Sequence, residues 1–119
     1  PLPNRCNFGT ELQCLDHLIS TTDGRLILRM KNSLGESIDV SSIIISTEDT
    51  TNPYICTNPP EMPTGWQYGT VRELIWTGCS GGGIIAGAKG RVLITINYYT
   101  ESNPSATKEV KGEVFSDIL

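Results

Sequence analysis

The sequence predicts an all-β protein, namely a single Ig-like β-sandwich of about seven antiparallel strands. Turn-forming residues recur along the whole chain, and apolar residues alternate with polar ones between the turns. No segment of comparable length carries the apolar spacing of a helix. Because a chain of 119 residues suits one domain with one hydrophobic core, residues 1–119 are assigned to a single sandwich domain.

Seven segments have strand character, and turn residues separate them. They span residues 12–20, 25–31, 37–46, 54–56, 67–76, 91–99 and 109–118. Asp23-Gly24 joins the first two segments and predicts a hairpin, because both residues tolerate a positive φ. In the third segment the alternation shifts at Ser41-Ser42, which predicts a β-bulge or a bend.

The later segments differ in strength. Prolines interrupt residues 47–65 and exclude a helix there, so the fourth segment is only a short edge strand. Strand character returns in the fifth segment, and the sixth is the strongest because it is β-branched and aromatic throughout. The seventh places Val110, Val114 and Ile118 on one face.

Four cysteines indicate the compartment: Cys6, Cys14, Cys56 and Cys79. An even number in a small domain favours disulfides and an oxidising, extracellular environment. The gaps between them are wider than the spacing of zinc ribbons and fingers, so a four-cysteine zinc site is the weaker alternative. Three pairings are possible, and the strand order favours Cys6–Cys14 with Cys56–Cys79. The second bond would hold the proline-rich loop against the glycine-rich segment.

That glycine-rich segment, TGCSGGGIIAGAKG at residues 77–90, fits several chemical motifs. It matches the G-x-S-x-G pattern around Ser80 and the G-x-G-x-x-G/A pattern from Gly81, but both motifs require a helix to follow. A predicted strand follows instead. A phosphate-binding P-loop fails because Ala88 stands where glycine is needed. We interpret the segment as a connection between two strands and a candidate interaction surface.

The catalytic alternative depends on His17, the sole histidine. His17 could act as a base toward Ser80, with Asp39 or Asp49 orienting it. A strand histidine and a turn serine are the favoured interpretation, since the helix that the motif demands is missing. Residues 48–52 offer oxygens for calcium but lack the spacing and glycine of a calcium loop. We therefore expect no enzyme activity, no metal and no cofactor.

The formal net charge is −4 and the basic residues are scattered. The sequence thus lacks the basic patch of a nucleic-acid-binding protein. No apolar run reaches the ~20 residues needed to span a bilayer. Because the chain does not begin with Met and Pro1-Leu2-Pro3 is typical of a linker, we expect an upstream segment that carries any targeting or anchoring element.

Four aromatic residues form the predicted ligand or interface surface: Trp66, Tyr68, Trp76 and Tyr99. The first three could line a carbohydrate-binding face, although tryptophans in a small domain more often pack in the core. Strand alternation places one ring of Tyr98-Tyr99 inward and one outward. The outward tyrosine is a candidate for a subunit interface, where tyrosine is enriched.

Several short segments share a common pattern: CNFG at 6–9 with LQCLD at 12–16, GRLILRMKN at 24–32 with GESIDV at 35–40, and KGEV at 111–114. Together with the later cysteine pair, they resemble the extracellular head domains of archaeal type IV pilin-like proteins. The resemblance covers most of the chain.

The resemblance implies a structural or adhesive role at the cell surface. Such proteins carry a class III signal that a prepilin peptidase cuts, followed by an apolar helix that assembles into the filament core. The β-sandwich head faces outward. We therefore expect self-association into a homopolymeric filament with head-to-tail contacts and membrane contact only through an N-terminal segment that this chain lacks. The resemblance carries over no catalytic residue.

Other classes of function stay open at this point. A secreted or surface-anchored module that binds a surface glycan or another ligand requires Trp66, Tyr68 or Trp76 exposed on one flat face. A small hydrolase requires Ser80 beside His17. A virion domain or another surface-structure domain predicts the same sequence features as a pilin head.

Overall fold

A computed structural model describes residues 3–119, and it confirms the all-β prediction. The first two residues of the expected linker at Pro1-Leu2-Pro3 lie outside the described residues. The strands are β1 (Arg5–Asn7), β2 (Leu12–Ser20), β3 (Arg25–Asn32), β4 (Ile38–Ser46), β5 (Ile55–Asn58), β6 (Val71–Ser80), β7 (Lys89–Thr100) and β8 (Asn103–Asp117). Within residues 3–119 no helix is long and apolar enough to cross a membrane.

The strand count is eight rather than seven. The additional strand is β1, whose three residues are too few for alternation to reveal. The largest differences in strand boundaries are at β6 and β8. β6 begins at Val71 and continues to Ser80, so it includes the start of the glycine-rich segment. β8 begins at Asn103, because the turn before it is tighter than expected and the long hairpin with β7 starts there.

The strands form two four-stranded antiparallel sheets, with orders β1-β8-β7-β4 and β2-β3-β6-β5. Without β1, this is the strand order of an immunoglobulin constant-type sandwich, in which the first, second, fifth and fourth strands form one sheet. The predicted Ig-like sandwich is therefore confirmed. β1 adds an eighth strand beside β8. The predicted irregularity at Ser41-Ser42 is present as a register shift in the pairing of β4 with β7.

The core lies between the two sheets and follows the predicted alternation. In β3, Leu26, Leu28 and Met30 all point inward and are fully buried. They face inward-pointing residues of the other sheet, including Ile94 and Ile96 of β7. The remaining buried side chains include both tryptophans, Tyr54, Tyr98 and the three apolar residues predicted for one face of the last strand.

Asn32 is completely buried and uses its side chain to organise one end of the sandwich. Its Nδ2 donates to the backbone oxygens of Glu36 (2.8 Å) and Trp66 (2.9 Å), and its Oδ1 accepts from the backbone N–H of Leu34 (2.8 Å). Every strong donor and acceptor of the amide is satisfied, which removes the penalty of burying it. Two loops from different parts of the sequence are thereby held together.

At the opposite end, the last two residues connect the sheets. Ile118 pairs in parallel with Ile19 of β2, and the backbone N–H of Leu119 donates to the oxygen of Ile19 at 3.0 Å. The backbone N–H of Thr21 in turn donates to the oxygen of Leu119 at 2.7 Å. The segment after β8 thus covers part of the free edge of β2.

The ring of Phe8 occupies the space where Gly112 of β8 has no side chain. A Cβ atom built on Gly112 would overlap the Phe8 ring, although the φ of this glycine is not positive. Phe8 lies just after β1 and is buried in the core. The absence of a side chain at Gly112 therefore lets the segment after β1 close the core.

We predict that Gly112→Ala destabilises the fold by about 2 kcal/mol, since overpacking a filled core forces neighbouring side chains to move. Urea denaturation measures the change. Phe8→Leu in the same chain makes room for the added methyl group. The double variant should therefore lose less stability than the sum of the two single changes, and strictly additive losses would contradict the assigned contact.

Candidate interaction surface

The aromatic residues predicted to share a binding face do not do so. Trp66 is 0% exposed and Trp76 is 2% exposed, and both belong to the core. The indole Nε1 of Trp66 donates to the backbone oxygen of Thr70 at 2.9 Å, which satisfies its polar atom. Tyr68 is 61% exposed and stands alone. The tryptophans therefore pack in the core, as was the favoured interpretation, and do not line the alternative carbohydrate-binding face.

Tyr98 and Tyr99 divide as strand alternation predicts. Tyr98 is buried, whereas Tyr99 is half-buried on the outer side of its sheet. Tyr99 lies directly opposite Asp39 of β4, and the negative charge of that carboxylate raises the pKa of the tyrosine hydroxyl. Tyr99 therefore keeps its proton at neutral pH. Its place in a subunit interface stays a prediction.

Both disulfides have the pairing that the strand order favours, Cys6–Cys14 and Cys56–Cys79. Cys6–Cys14 joins β1 of one sheet to β2 of the other, whereas Cys56–Cys79 joins the neighbouring strands β5 and β6. Two disulfides in a domain of this size are compatible with an oxidising, extracellular environment.

The glycine-rich segment is a packed connection. Gly81, Gly82 and Gly83 all have positive φ angles near 70–86°, and the chain then runs into β7 rather than into a helix. At Gly82 the missing side chain allows close contact with Tyr54 and Thr47 of the proline-containing loop. Helix-dependent nucleotide and nucleophile motifs therefore lack their required context.

Burial also raises the pKa of Tyr54, which contacts Gly82 of the glycine-rich segment. Tyr54 is 6% exposed, and desolvation raises the pKa of its hydroxyl to about 12. Because a neutral phenol is cheaper to bury than a phenolate, Tyr54 acts as a packing residue between the two loops. It provides no anion for chemistry at neutral pH.

His17 and Ser80, the pair of the hydrolase hypothesis, lie in different parts of one sheet. Through β3, His17 is level with Leu74 of β6. The stretch of β6 from Leu74 to the exposed Ser80 corresponds to about 20 Å of strand. His17 therefore cannot take a proton from Ser80, and the pair of base and nucleophile that the hydrolase alternative requires is not formed.

The two aspartates considered as partners of His17 are also engaged elsewhere. Asp39 lies in the other sheet, where its Oδ1 accepts the backbone N–H of Gly65 at 2.6 Å. Asp49 accepts from the hydroxyl (2.7 Å) and the backbone N–H (3.1 Å) of Thr51. These hydrogen bonds lower the pKa of the Asp49 carboxyl and shape its loop.

A cluster that the sequence did not predict surrounds Asn4, where the chain enters the sandwich. The Asn4 side chain accepts from Lys89 Nζ at 2.6 Å and from the backbone N–H of Asp117 at 3.1 Å. Its Nδ2 donates to the Asp117 carboxylate at 3.3 Å, and Lys89 pairs with that carboxylate at 3.1 Å. The bonds from Lys89 and Asn4 lower the pKa of Asp117.

A second unpredicted cluster lies beside it, on the outer face of the β1-β8-β7-β4 sheet. Phe115 is paired with Arg5 on one side and Arg91 on the other, and their guanidinium carbons lie 4.9 and 5.2 Å from the ring centroid. Glu113 pairs with both arginines, at 2.6 and 3.2 Å. Glu48 pairs with Arg91 at 2.8 Å and raises its pKa.

These two clusters connect β1 and the residue before it to the central strands of the sheet, β8 and β7. Cations and carboxylates alternate within them, so they form an internally paired network rather than a basic patch for an anionic partner. Cross-strand register brings the residues together, and register is not visible in the sequence. Alternation alone could only indicate that Arg91 and Phe115 face outward.

The part of the chain that the structure describes contains no group of three or more His, Cys, Asp or Glu side chains arranged to hold a metal ion. No family model, curated protein or solved structure matches the chain. Function must therefore be inferred from the features of the domain itself.

We predict that removing Cys56–Cys79 costs more stability than removing Cys6–Cys14. The sequence separations of 23 and 8 residues correspond to about 3.5 and 2.5 kcal/mol in the loop-entropy description. Paired Cys→Ser variants at each bond, compared by urea denaturation, measure the difference. A larger loss for the Cys6–Cys14 variant would show that its link between the sheets outweighs loop entropy.

The charged cluster predicts a specific pH dependence. Since the fold lowers the pKa of Asp117, its ion pair stabilises the native state above about pH 4 and loses this effect as the pH falls through the lowered pKa. Asp117→Asn should therefore be less stable than the wild type near neutral pH, and the gap should close in acid. Denaturation midpoints at several pH values test this, and a gap independent of pH would contradict it.

Proposed function

We propose that this domain is the outward-facing head of an extracellular filament subunit of the archaeal type IV pilin-like kind. Its role is structural. An N-terminal segment attaches the domain to the filament, and the domain makes protein contacts at the cell surface. The observation that carries the proposal is the attachment of the N-terminal strand, where a covalent bond and a charged network converge on a very short element.

The attachment suits an element that bears load. β1 has three residues, so its ladder with β8 supplies few hydrogen bonds. Cys6–Cys14 links this strand covalently to β2 of the opposite sheet. Arg5 and Asn4 add side-chain bonds to Glu113 and Asp117 of β8. A pull on the N-terminal segment is therefore shared between both sheets instead of separating one strand.

The surface is consistent with a contact role and offers no better alternative. The stretch of β8 that precedes its pairing with β1 carries Lys108 and Lys111, which discourage uncontrolled strand pairing in a densely packed assembly. The tryptophans that a glycan-binding module would need are buried. Ser80 and His17, which a hydrolase would need, lie in different parts of one sheet, about six strand residues apart in register. No second candidate function is supported by a specific contact.

Immunogold electron microscopy of native cells tests the proposal, using antibodies raised against residues 1–119. We expect gold particles along surface filaments, and labelling that the purified domain abolishes when added as competitor. The native protein, isolated without reduction, should also carry an apolar segment of about 20 residues before this domain. Recovery of the protein solely as a free monomer in the medium would overturn the filament role.

A further inference from the structure

The outer edge of β4 is open over Ser42–Ser46. β4 is the last strand of its sheet, and no backbone hydrogen bond found in residues 3–119 joins Ser42–Ser46 to a segment on its outer side. Ile44 is 58% exposed on the outer face. Ile43 and Ile45 point inward, and both remain partly exposed beside the core. Three consecutive β-branched residues thus lie on an unpaired edge.

Each of the other three edges carries a feature that opposes pairing. β1 has three residues, and the stretch of β8 that precedes its pairing with β1 has Pro104 at its start and lysines at 108 and 111. β2 has a register shift between Cys14 and Asp16 and is partly covered by the C-terminal residues. β5 has four residues and is followed by prolines. The β4 bulge lies before Ser42, so the stretch from Ser42 to Ser46 pairs regularly with β7 and is unprotected.

The open stretch has a defined length. On one side, the oxygen of Pro63 accepts the backbone N–H of Val40 at 2.8 Å, and Trp66 pairs with Ile38 through two hydrogen bonds of 3.0 Å. This segment covers the beginning of the edge. On the other side, the chain leaves the sheet at Thr47, which is buried. Five residues therefore remain available for a partner strand.

The sequence of this stretch, SIIIS, is the same in both directions. We propose that it pairs antiparallel with the same stretch of a second copy, around a two-fold axis at Ile44. Ile44 then faces its own counterpart, while Ile43 faces Ile45 and Ser42 faces Ser46. In this register the paired stretch of each copy ends opposite Ser42 of its partner, before the residues that the Pro63–Trp66 segment covers, namely Val40 and Ile38.

The pairing satisfies the chemistry of an isologous interface, in which one patch must complement itself. The stretch contains no charged residue, so no like charges oppose each other across the axis. Cross-strand pairs of β-branched residues favour the ladder, and Ile43 beside its partner's Ile45 would extend both cores. A self-pairing β8 edge would instead bring its own lysines and Glu109 into the interface.

This inference goes beyond the proposed function and does not depend on it. An isologous contact closes at two copies and cannot propagate a filament. It would join two heads into one eight-stranded sheet, with the order β1-β8-β7-β4 continued by the same strands of the partner in reverse. In a filament, such pairs would link heads of different subunits or of neighbouring filaments.

Sedimentation velocity of the 119-residue chain over concentrations up to about 1 mM tests the self-association. We expect a monomer–dimer equilibrium that salt hardly changes, because no ion pair takes part. Ile44→Lys should raise the dissociation constant at least about tenfold, since a lysine blocks edge pairing. Ile55→Lys is the matched control: Ile55 is 56% exposed on the β5 edge, and its change should leave the equilibrium intact.

Circular dichroism and the thermal midpoint confirm that both variants keep the fold. A wild-type chain that stays monomeric throughout the range would overturn the inference, and would leave a strand from a different protein as the occupant of the edge. Equal weakening by both lysine variants would also overturn it. Neither result bears on the filament role, which the microscopy tests separately.

A cysteine experiment tests the register. In the proposed pairing, the Cβ atoms at position 44 of the two copies lie about 5 Å apart, so Ile44→Cys should form an intermolecular disulfide under mild oxidation. Ser41→Cys, outside the paired stretch, should not cross-link to itself. Peptide masses after proteolysis without reduction verify that the native disulfides are unchanged. Equal cross-linking at both positions would contradict the two-fold axis at Ile44.

Discussion

The buried amide of Asn32 is the interaction on which much of this fold depends. A polar side chain in an apolar core is tolerated only when its donors and acceptor are all bonded, and Asn32 meets that condition by binding two separate loops. One of those bonds fixes the backbone of Trp66. The segment leading to this tryptophan then pairs with Ile38 and Val40. By positioning Trp66, the buried amide helps to set where this segment covers the core. It thereby also helps to set which part of the β4 edge has no partner.

The two ends of the sandwich are held by different physical means. At the Asn32 end, neutral hydrogen bonds in a dry environment align the loops. At the other end, a partly exposed ionic network around Asn4 and the C-terminal residues connect β1, β8 and β2. Surface ion pairs contribute little individually. The covalent link between the sheets comes from Cys6–Cys14, which lies nearer the Asn32 end on β2 because Cys14 pairs with Met30. The covalent link to β1 thus follows within a few residues of the point where the chain enters the domain.

Much of the fold was predictable because burial imposes a period of two on every long strand. Leu26, Leu28 and Met30 point inward as expected, and the favoured disulfides follow from strand order. β1 was missed because three residues cannot display a period. Trp66 was misplaced because a loop has no alternation, and its burial depends on Asn32 far away in sequence. The clusters around Phe115 and Asn4 depend on strand register, which pattern alone does not provide.

The pairing of β1 with β8 has a consequence for the order of assembly. Arg5 lies opposite Phe115, so this ladder joins the beginning of the domain to a strand near its end, and such distant contacts form slowly. β8 is the last of the described strands to be synthesised. Cys6 and Cys14, in contrast, are only eight residues apart. Their local loop can close while the rest of the chain is still emerging. The disulfide can therefore hold β1 next to β2 until β8 has been synthesised and pairs with β1.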